Sequence, residues 1–183
     1  MDFNLKTGDR LPDREVELPR AWVLRAGSRT RWITPKADNF GFARWVEGNA
    51  RELMALGEGI HFGEWFGSGI QRGYGLVNGD KRFALFNTGR WVGSSNGVYD
   101  KLSGNPLKQP IRAENLTVVP QLHYGALRDS SGACQIEQHL KRLQFAGSQA
   151  VPGFEYPEGV MVYFEALKTY SKVPFDPNPK GRM

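Results

Sequence analysis

The sequence predicts an α+β fold, a single domain over 1–183 with antiparallel sheets and two main helices. Apolar residues alternate with polar ones in several short runs, the pattern of half-buried strands. These runs predict strands at 14–18, 21–25, 61–66, 82–87, 116–120, 159–164 and 167–173. Two other segments, 42–56 and 134–146, repeat apolar residues at helical spacing. A chain of 183 residues has the length of one domain with its own core.

The composition indicates a soluble, cytoplasmic protein. Hydrophobic residues make up 40% of the chain, and no apolar run approaches the length of a membrane span. The polar N-terminus does not resemble a signal peptide. One cysteine, Cys134, leaves no internal disulfide and suits a reducing compartment. The net charge of +5 favours a polyanionic partner.

The first helix is expected to follow Asp38-Asn39, whose side chains are typical N-caps. Phe40 and Trp45 are expected in the core. The solvent-facing residues of this helix are expected to be Arg44, Glu47, Arg51 and Glu52.

Three segments lack a clear period. Residues 1–19 are expected to be irregular before a strand begins near their end. Residues 92–115, rich in glycine and poor in apolar pattern, predict a long surface insertion. The segment 174–183 is expected to be a loose tail because it is rich in proline.

The stretch 61–91 carries the strongest functional signal. It mixes charged side chains such as Glu64 and Arg82 with aromatic residues and glycines. Its first strand and its second are joined by S-G-I-Q-R-G-Y-G-L-V-N-G-D, which suits tight turns and close approach of backbone to a ligand. One interpretation is a hairpin with a long loop, and the other is the floor of a phosphate-handling cleft.

The segments F-G-E-W-F-G-S-G-I-Q-R and K-R-F-A-L-F-N resemble motifs III and IIIa of ATP-dependent RNA ligases of the second phage type. The resemblance extends from about Gly27 to Lys172, and it implies antiparallel sheets that form a nucleotide cleft. It implies that Glu64 contacts ribose and that Phe86 stacks on adenine. Arg29, in G-S-R-T-R-W, is similar to an arginine near the nucleotide and the RNA phosphates; otherwise it is a solvated residue on an edge strand, with Trp32 in the core.

The same resemblance assigns roles near the C-terminus. Glu158 opens a predicted strand, like the motif IV glutamate that helps to hold the catalytic metal. Lys172 resembles the motif V lysine that contacts the α-phosphate, and it matches better than Lys168, the other lysine of that strand. Pro174 stands where the family has a second lysine.

The attacking lysine of this family lies in K-x-D-G, and this chain contains no such tetrapeptide. Lys36-Ala37-Asp38-Asn39 is a partial match but lies downstream of Arg29, so Lys36 is interpreted as a surface residue. Lys6-Thr7-Gly8-Asp9 lies at about the right distance before Arg29, without the strand that usually precedes the motif. Either Lys6 is the nucleophile in an altered setting, or the protein cannot adenylate itself.

The resemblance implies an enzyme that uses ATP and Mg²⁺ to join RNA ends through a lysyl-adenylate. The alternative is a catalytically degenerate phage accessory protein that binds ATP, AMP or RNA. His61, His123 and His139 are far apart in the sequence and have no cysteine partners at metal spacing. They therefore predict no structural zinc site.

Overall fold

The computed structural model describes residues 23–71, 73–103 and 109–175, and residues 2–7 by their backbone. The chain divides into two compact units, Met1–Val119 and Pro120–Met183, which are treated separately below. The strand expected at 14–18 lies outside the described residues. Within the described ranges, no helix combines the length and the apolar character needed to span a membrane.

The described residues form an α+β structure with three sheets and three α-helices. The strands of the first unit are β1 (Asp2–Thr7), β2 (Leu24–Ser28), β3 (Trp32–Ile33), β4 (Gly59–Gly67), β5 (Lys81–Leu85), β6 (Trp91–Ser94), β7 (Gly97–Asp100) and β8 (Leu116–Val118). Its helices are α1 (Phe42–Gly48) and α2 (Ala50–Leu53), with 3₁₀ turns at Met54–Leu56 and Lys101–Ser103. The second unit contains α3 (Gln135–Ala146), β9 (Gly159–Phe164) and β10 (Thr169–Pro174).

A six-stranded sheet organises the first unit, in the order β3-β2-β1-β4-β5-β8. Its neighbouring strands are antiparallel except for β5 and β8, which are parallel. The expectation of an irregular start is wrong for Asp2–Thr7, because this segment is β1, paired on both sides. The sequence comparison found no strand beside Lys6-Thr7-Gly8-Asp9. The structure has one there, β1, and Lys6 lies within it.

One face of this sheet packs against the helices to form the core. Phe83 on β5 and Phe42 on α1 are fully buried, with ring centroids 5.0 Å apart. Trp65 on β4 contacts Trp45, with ring centroids 5.3 Å apart. Trp45 is partly buried against this core, and its Nε1 donates to the Glu114 carbonyl at 2.7 Å.

The helix predicted at 42–56 is interrupted at Asn49, where ψ is 18°. The Asn49 side chain competes with the helical backbone: its Nδ2 donates to the Trp45 carbonyl at 2.9 Å. Its Oδ1 accepts from the Glu114 N–H at 2.7 Å, which ties this break to the segment before β8. The expected solvent-facing residues are exposed, namely Arg44, Glu47, Arg51 and Glu52.

Asp38 stabilises the start of α1 from four residues before it. Its side chain, 7% exposed, accepts hydrogen bonds from the N–H groups of Ala43 at 2.8 Å and Arg44 at 3.1 Å. Phe40 is exposed, so the expectation that it lies in the core is wrong. Its φ of 53° turns the chain into α1, and its carbonyl accepts a hydrogen bond from Trp65.

The segment 92–115 differs from the expected surface insertion. Its first part forms the β6–β7 hairpin, and Val98 and Ile111 are buried in the core. Val98 and Ile111 also exchange two backbone hydrogen bonds, of 3.0 and 2.8 Å. Glycines interrupt the sequence of the β6–β7 hairpin, so its apolar residues do not form an alternating run that would predict two strands.

The second unit combines α3 with the β9–β10 hairpin. Helix α3 matches its prediction within one residue and ends at Gly147, as expected. The loop before it is held by Asp129, whose carboxylate accepts from Ser131 Oγ at 2.5 Å and from the Ala133 N–H at 3.0 Å. The Ser131 hydrogen bond is the largest cause that lowers the pKa of Asp129.

Candidate functional site

The face of the six-stranded sheet opposite the helices carries the predicted residues of the first unit. Along β4, residues alternate between the two faces: His61 and Trp65 are buried in the core. Ile60 and Phe62, on the other face, are exposed, with Phe62 retaining 55% of its accessible surface. Further along that face, Phe66 is buried, and so is Ala84, the partner of Glu64 on β5. We call this second surface the open face.

An aromatic row crosses the open face. Trp32 on β3 pairs with Gly27, Gly27 with Asn4, and Asn4 with Phe62. The Phe86 N–H continues the row by donating to the Phe62 carbonyl at 3.0 Å. Since neighbouring strands lie about 4.8 Å apart, Phe62 and Phe86 are adjacent, whereas Trp32 stands about 14 Å from Phe62. We call Trp32, Phe62 and Phe86 the aromatic row; Gly27 and Asn4 lie between Trp32 and Phe62.

Glu64 and Lys6 stand on opposite sides of the aromatic row. Glu64 lies two residues beyond Phe62 on β4, at the register position between Asp2 and Ala84. The Lys6 position pairs with Arg25 and with Ile60, two residues before Phe62. Each step of two residues covers about 6.7 Å of strand, so the backbones at Lys6 and Glu64 are about 13 Å apart.

The glycine-rich loop after β4 returns the chain closely to β5. A Cβ on Gly67 would collide with the Asp80 carbonyl, and its φ of 129° also favours glycine. Ser68 N–H donates to that same carbonyl at 2.8 Å. Arg82 donates to the Asp80 carboxylate at 2.9 Å, so it lies in a local ion pair.

Arginines and Trp32 project to solvent around the β2–β3 turn. Trp32 is 47% exposed, which contradicts the alternative that placed it in the core. Arg29 and Arg31 are exposed beside it, and Arg31 donates to Asn39 Oδ1 at 3.0 Å. The turn is closed by Ser28, whose N–H donates to the Arg31 carbonyl at 2.8 Å. The edge of the open face thus offers positive charge beside an indole ring.

In the second unit, Glu158 and Lys172 form an ion pair. Lys172 Nζ donates to Glu158 Oε2 at 2.6 Å, and the two side chains are 51% and 23% exposed respectively. The hairpin register places Lys172 opposite Met161, and the Phe175 N–H donates to the Glu158 carbonyl at 3.0 Å.

Lys168 is not part of this pair. It was expected on the same strand as Lys172, but β10 begins at Thr169, and Lys168 lies in the preceding turn with a φ of 49°. The structure therefore associates Lys172, and not Lys168, with Glu158.

Comparisons with protein-family models, with curated proteins and with solved structures found no match for this chain. Glu64, Phe86 and the Lys6 position share the open face, and Arg29 lies at its edge.

In the described part of the chain, no group of three or more His, Cys, Asp and Glu side chains could hold a metal ion. Mg²⁺ commonly binds proteins through one or two carboxylates together with substrate phosphates and water. Glu158 supplies one carboxylate, which is paired with the Lys172 ammonium.

His61 lies behind the open face as a buried titratable group. It is 5% exposed, and its Nε2 is 3.1 Å from the Gly57 carbonyl. Its ring is 5.8 Å from that of Trp91. Burial lowers the pKa of His61 below its ordinary value of 6.5, and the charge of Arg90 lowers it further, against Asp100 and the Gly57 hydrogen bond.

The buried His61 predicts a loss of stability in mild acid. Because its pKa is lowered in the folded protein, the unfolded chain binds the proton more readily below pH 6.5. The stabilisation is complete above that pH and is lost as the pH falls towards the folded pKa. Urea unfolding between about pH 7.5 and 5.5 should show this decline, since carboxylates titrate mostly below that range.

The test variant is His61→Gln, which should flatten the pH dependence whatever it does to the stability itself. An unchanged slope in His61→Gln would show that another group is responsible.

Proposed function

We propose that this protein is an ATP- and Mg²⁺-dependent RNA ligase-like nucleotidyltransferase. The observation that carries the proposal is the register of the six-stranded sheet. It aligns Phe86, Glu64 and the Lys6 position on one face, opposite the helices, with exposed Phe62 beside Phe86. An aromatic surface flanked by an acidic and a basic position suits a ligand with a planar base, hydroxyl groups and phosphates.

The open face would bind the nucleoside. Phe86, half-buried next to Phe62, supplies a stacking surface for adenine. Glu64 is an acceptor for ribose hydroxyls, because an ionised carboxylate offers oxygens only as acceptors. Arg29 supplies positive charge for phosphate at the edge of the sheet.

Within the second unit, the Glu158–Lys172 pair offers groups suited to phosphate and to a metal ion. The Lys172 ammonium suits a phosphate oxygen, and the Glu158 carboxylate suits Mg²⁺. Mg²⁺, when bound, would neutralise charge on phosphate groups.

The proposed covalent step uses the amine of Lys6. Its nitrogen forms a bond to the α-phosphorus of ATP, the bond from that phosphorus to the bridging oxygen breaks, and pyrophosphate leaves. The ammonium gives up one proton to solvent before the attack and a second as the amine becomes a phosphoramidate. The adenylate then passes to a 5′-phosphate of RNA, and a 3′-hydroxyl displaces AMP to join the ends.

A second candidate is a protein that binds nucleotide or RNA without catalysis. The exposed Trp32 and the arginines beside it favour this candidate, because aromatic and cationic groups on an accessible surface suit single-stranded nucleic acid. The absence of K-x-D-G also agrees with it.

Incubation with ATP labelled at the α-phosphate tests both candidates. The ligase proposal predicts label retained on the protein through a denaturing gel, released by acid, and absent when EDTA replaces Mg²⁺. ATP-induced thermal stabilisation without retained label would support binding alone. Both candidates would be contradicted if the protein retains no label and is stabilised neither by ATP nor by a short single-stranded RNA.

A further inference from the structure

Two histidine rings lie close together in the second unit. His123 belongs to the segment before α3, and His139 lies within α3. Their ring centroids are 6.0 Å apart, with an angle of 48° between the ring planes. The two histidines are far apart in the sequence, and the segment before α3 brings the ring of His123 against that of His139.

The hydrogen bond of His123 at Nε2 leaves its other ring nitrogen, Nδ1, with a lone pair that can bind a metal ion. Its Nε2 is 2.9 Å from the Ala126 carbonyl oxygen, which can only accept. Nε2 therefore carries the proton, and Nδ1 retains its lone pair. A backbone carbonyl in this position is a common partner of metal-ligating histidines, since it fixes both the tautomer and the ring orientation.

His139 presents the second imidazole. It is half-buried on α3, its ring makes no hydrogen bond with the described residues, and it lies against the ring of His123. Half-burial on a helix restricts the positions that the ring can adopt. A second imidazole is thus available beside that of His123.

The separation of the rings suits a shared ion. A zinc ion lies about 2.1 Å from a ligating nitrogen, which places two imidazole centroids on one ion about 5–6 Å apart. The observed 6.0 Å lies at the upper end of this range. Water would complete the coordination, because no third His, Cys, Asp or Glu of the described residues joins the pair.

We propose that His123 and His139 form a two-histidine site for a divalent transition-metal ion. Neutral imidazole is a good ligand for Zn²⁺, Ni²⁺ and Cu²⁺. The ion would link the segment before α3 to the helix and so stabilise the second unit. With two protein ligands the site exchanges its metal readily, unlike a closed structural zinc centre.

Titration of the metal-free full-length chain with Zn²⁺ tests the proposal. Calorimetry near neutral pH is expected to show one Zn²⁺ per chain, with a rise in the thermal unfolding temperature. His123→Gln and His139→Gln should each weaken binding by more than about tenfold. Far-UV circular dichroism of each variant checks that α3 is intact.

Two further variants serve as controls. Tyr124→Phe changes an exposed neighbour without removing a ligand, and Cys134→Ser removes the free thiol. Both should bind Zn²⁺ as the wild type does. Absence of binding in the wild type, undiminished binding in either folded histidine variant, or loss of binding in Cys134→Ser would overturn the proposal.

Discussion

Lys6→Ala is expected to abolish the acid-labile AMP adduct, whereas Lys36→Ala is expected to retain it. Removing a covalent nucleophile typically reduces the chemical step by a factor of about a thousand or more, because no neighbouring group takes its place. Lys36 is the matched control, since Lys36-Ala37-Asp38-Asn39 is the other partial match to K-x-D-G. Its Asp38 is already engaged at the start of α1.

The measurement is label per protein on a denaturing gel, with ATP-induced thermal stabilisation measured alongside. Lys6→Ala should still be stabilised by ATP, because Phe86 and Glu64 remain. Label retained on Lys6→Ala would show that another lysine is the nucleophile. Label lost from Lys36→Ala alone would transfer that role to Lys36. The 13 Å or so between the Lys6 and Glu64 backbones makes this a demanding test, because the nucleotide has to span both positions.

Elements with a strong local period were predictable from the sequence. Strand β9 was predicted with its observed bounds, and helix α3 begins one residue later than expected. Most residues of β4 and β5 were also identified, although both strands end in three consecutive buried residues. In each of these segments the local pattern and the tertiary environment agree.

The position of β1 depended on information that is not local. Its sequence D-F-N-L-K-T does alternate polar and apolar residues, but the surrounding charges and glycine obscured the pattern. Its partner β4 begins at Gly59, far along the chain, and nothing in either segment alone specifies their register. That register is what places the Lys6 position on the same face as Phe86.

Exposure at the candidate site was also beyond sequence reasoning. Trp32 is apolar enough for a core, yet it pairs with Gly27 on the open face, where the helices do not cover it. Asn49 is a second example: the apolar spacing predicts one helix over 42–56, but the helix is interrupted at Asn49, which contacts Glu114. Both outcomes follow from packing between distant segments, which overrides local propensity.

Phe83→Ala and Phe62→Ala should distinguish the roles of the two faces of the sheet. Phe83 is fully buried, with its ring 5.0 Å from Phe42 and 5.6 Å from Trp45, and its truncation should lower the free energy of unfolding by about 3–5 kcal/mol. Phe62, 55% exposed, should cost less than about 1 kcal/mol on truncation. Urea unfolding measures both values.

Nucleotide affinity should respond in the opposite order, with the larger loss caused by Phe62→Ala. Phe62→Ala removes a ring adjacent to Phe86, and loss of a stacking side chain costs about 1–3 kcal/mol of binding, roughly a tenfold or greater loss of affinity. The loss should appear as a smaller ATP-induced thermal shift at a stability close to that of the wild type. If Phe62→Ala instead destabilises the fold as much as Phe83→Ala, the aromatic row is a second core. The open face would then lack the accessible surface that nucleotide binding requires.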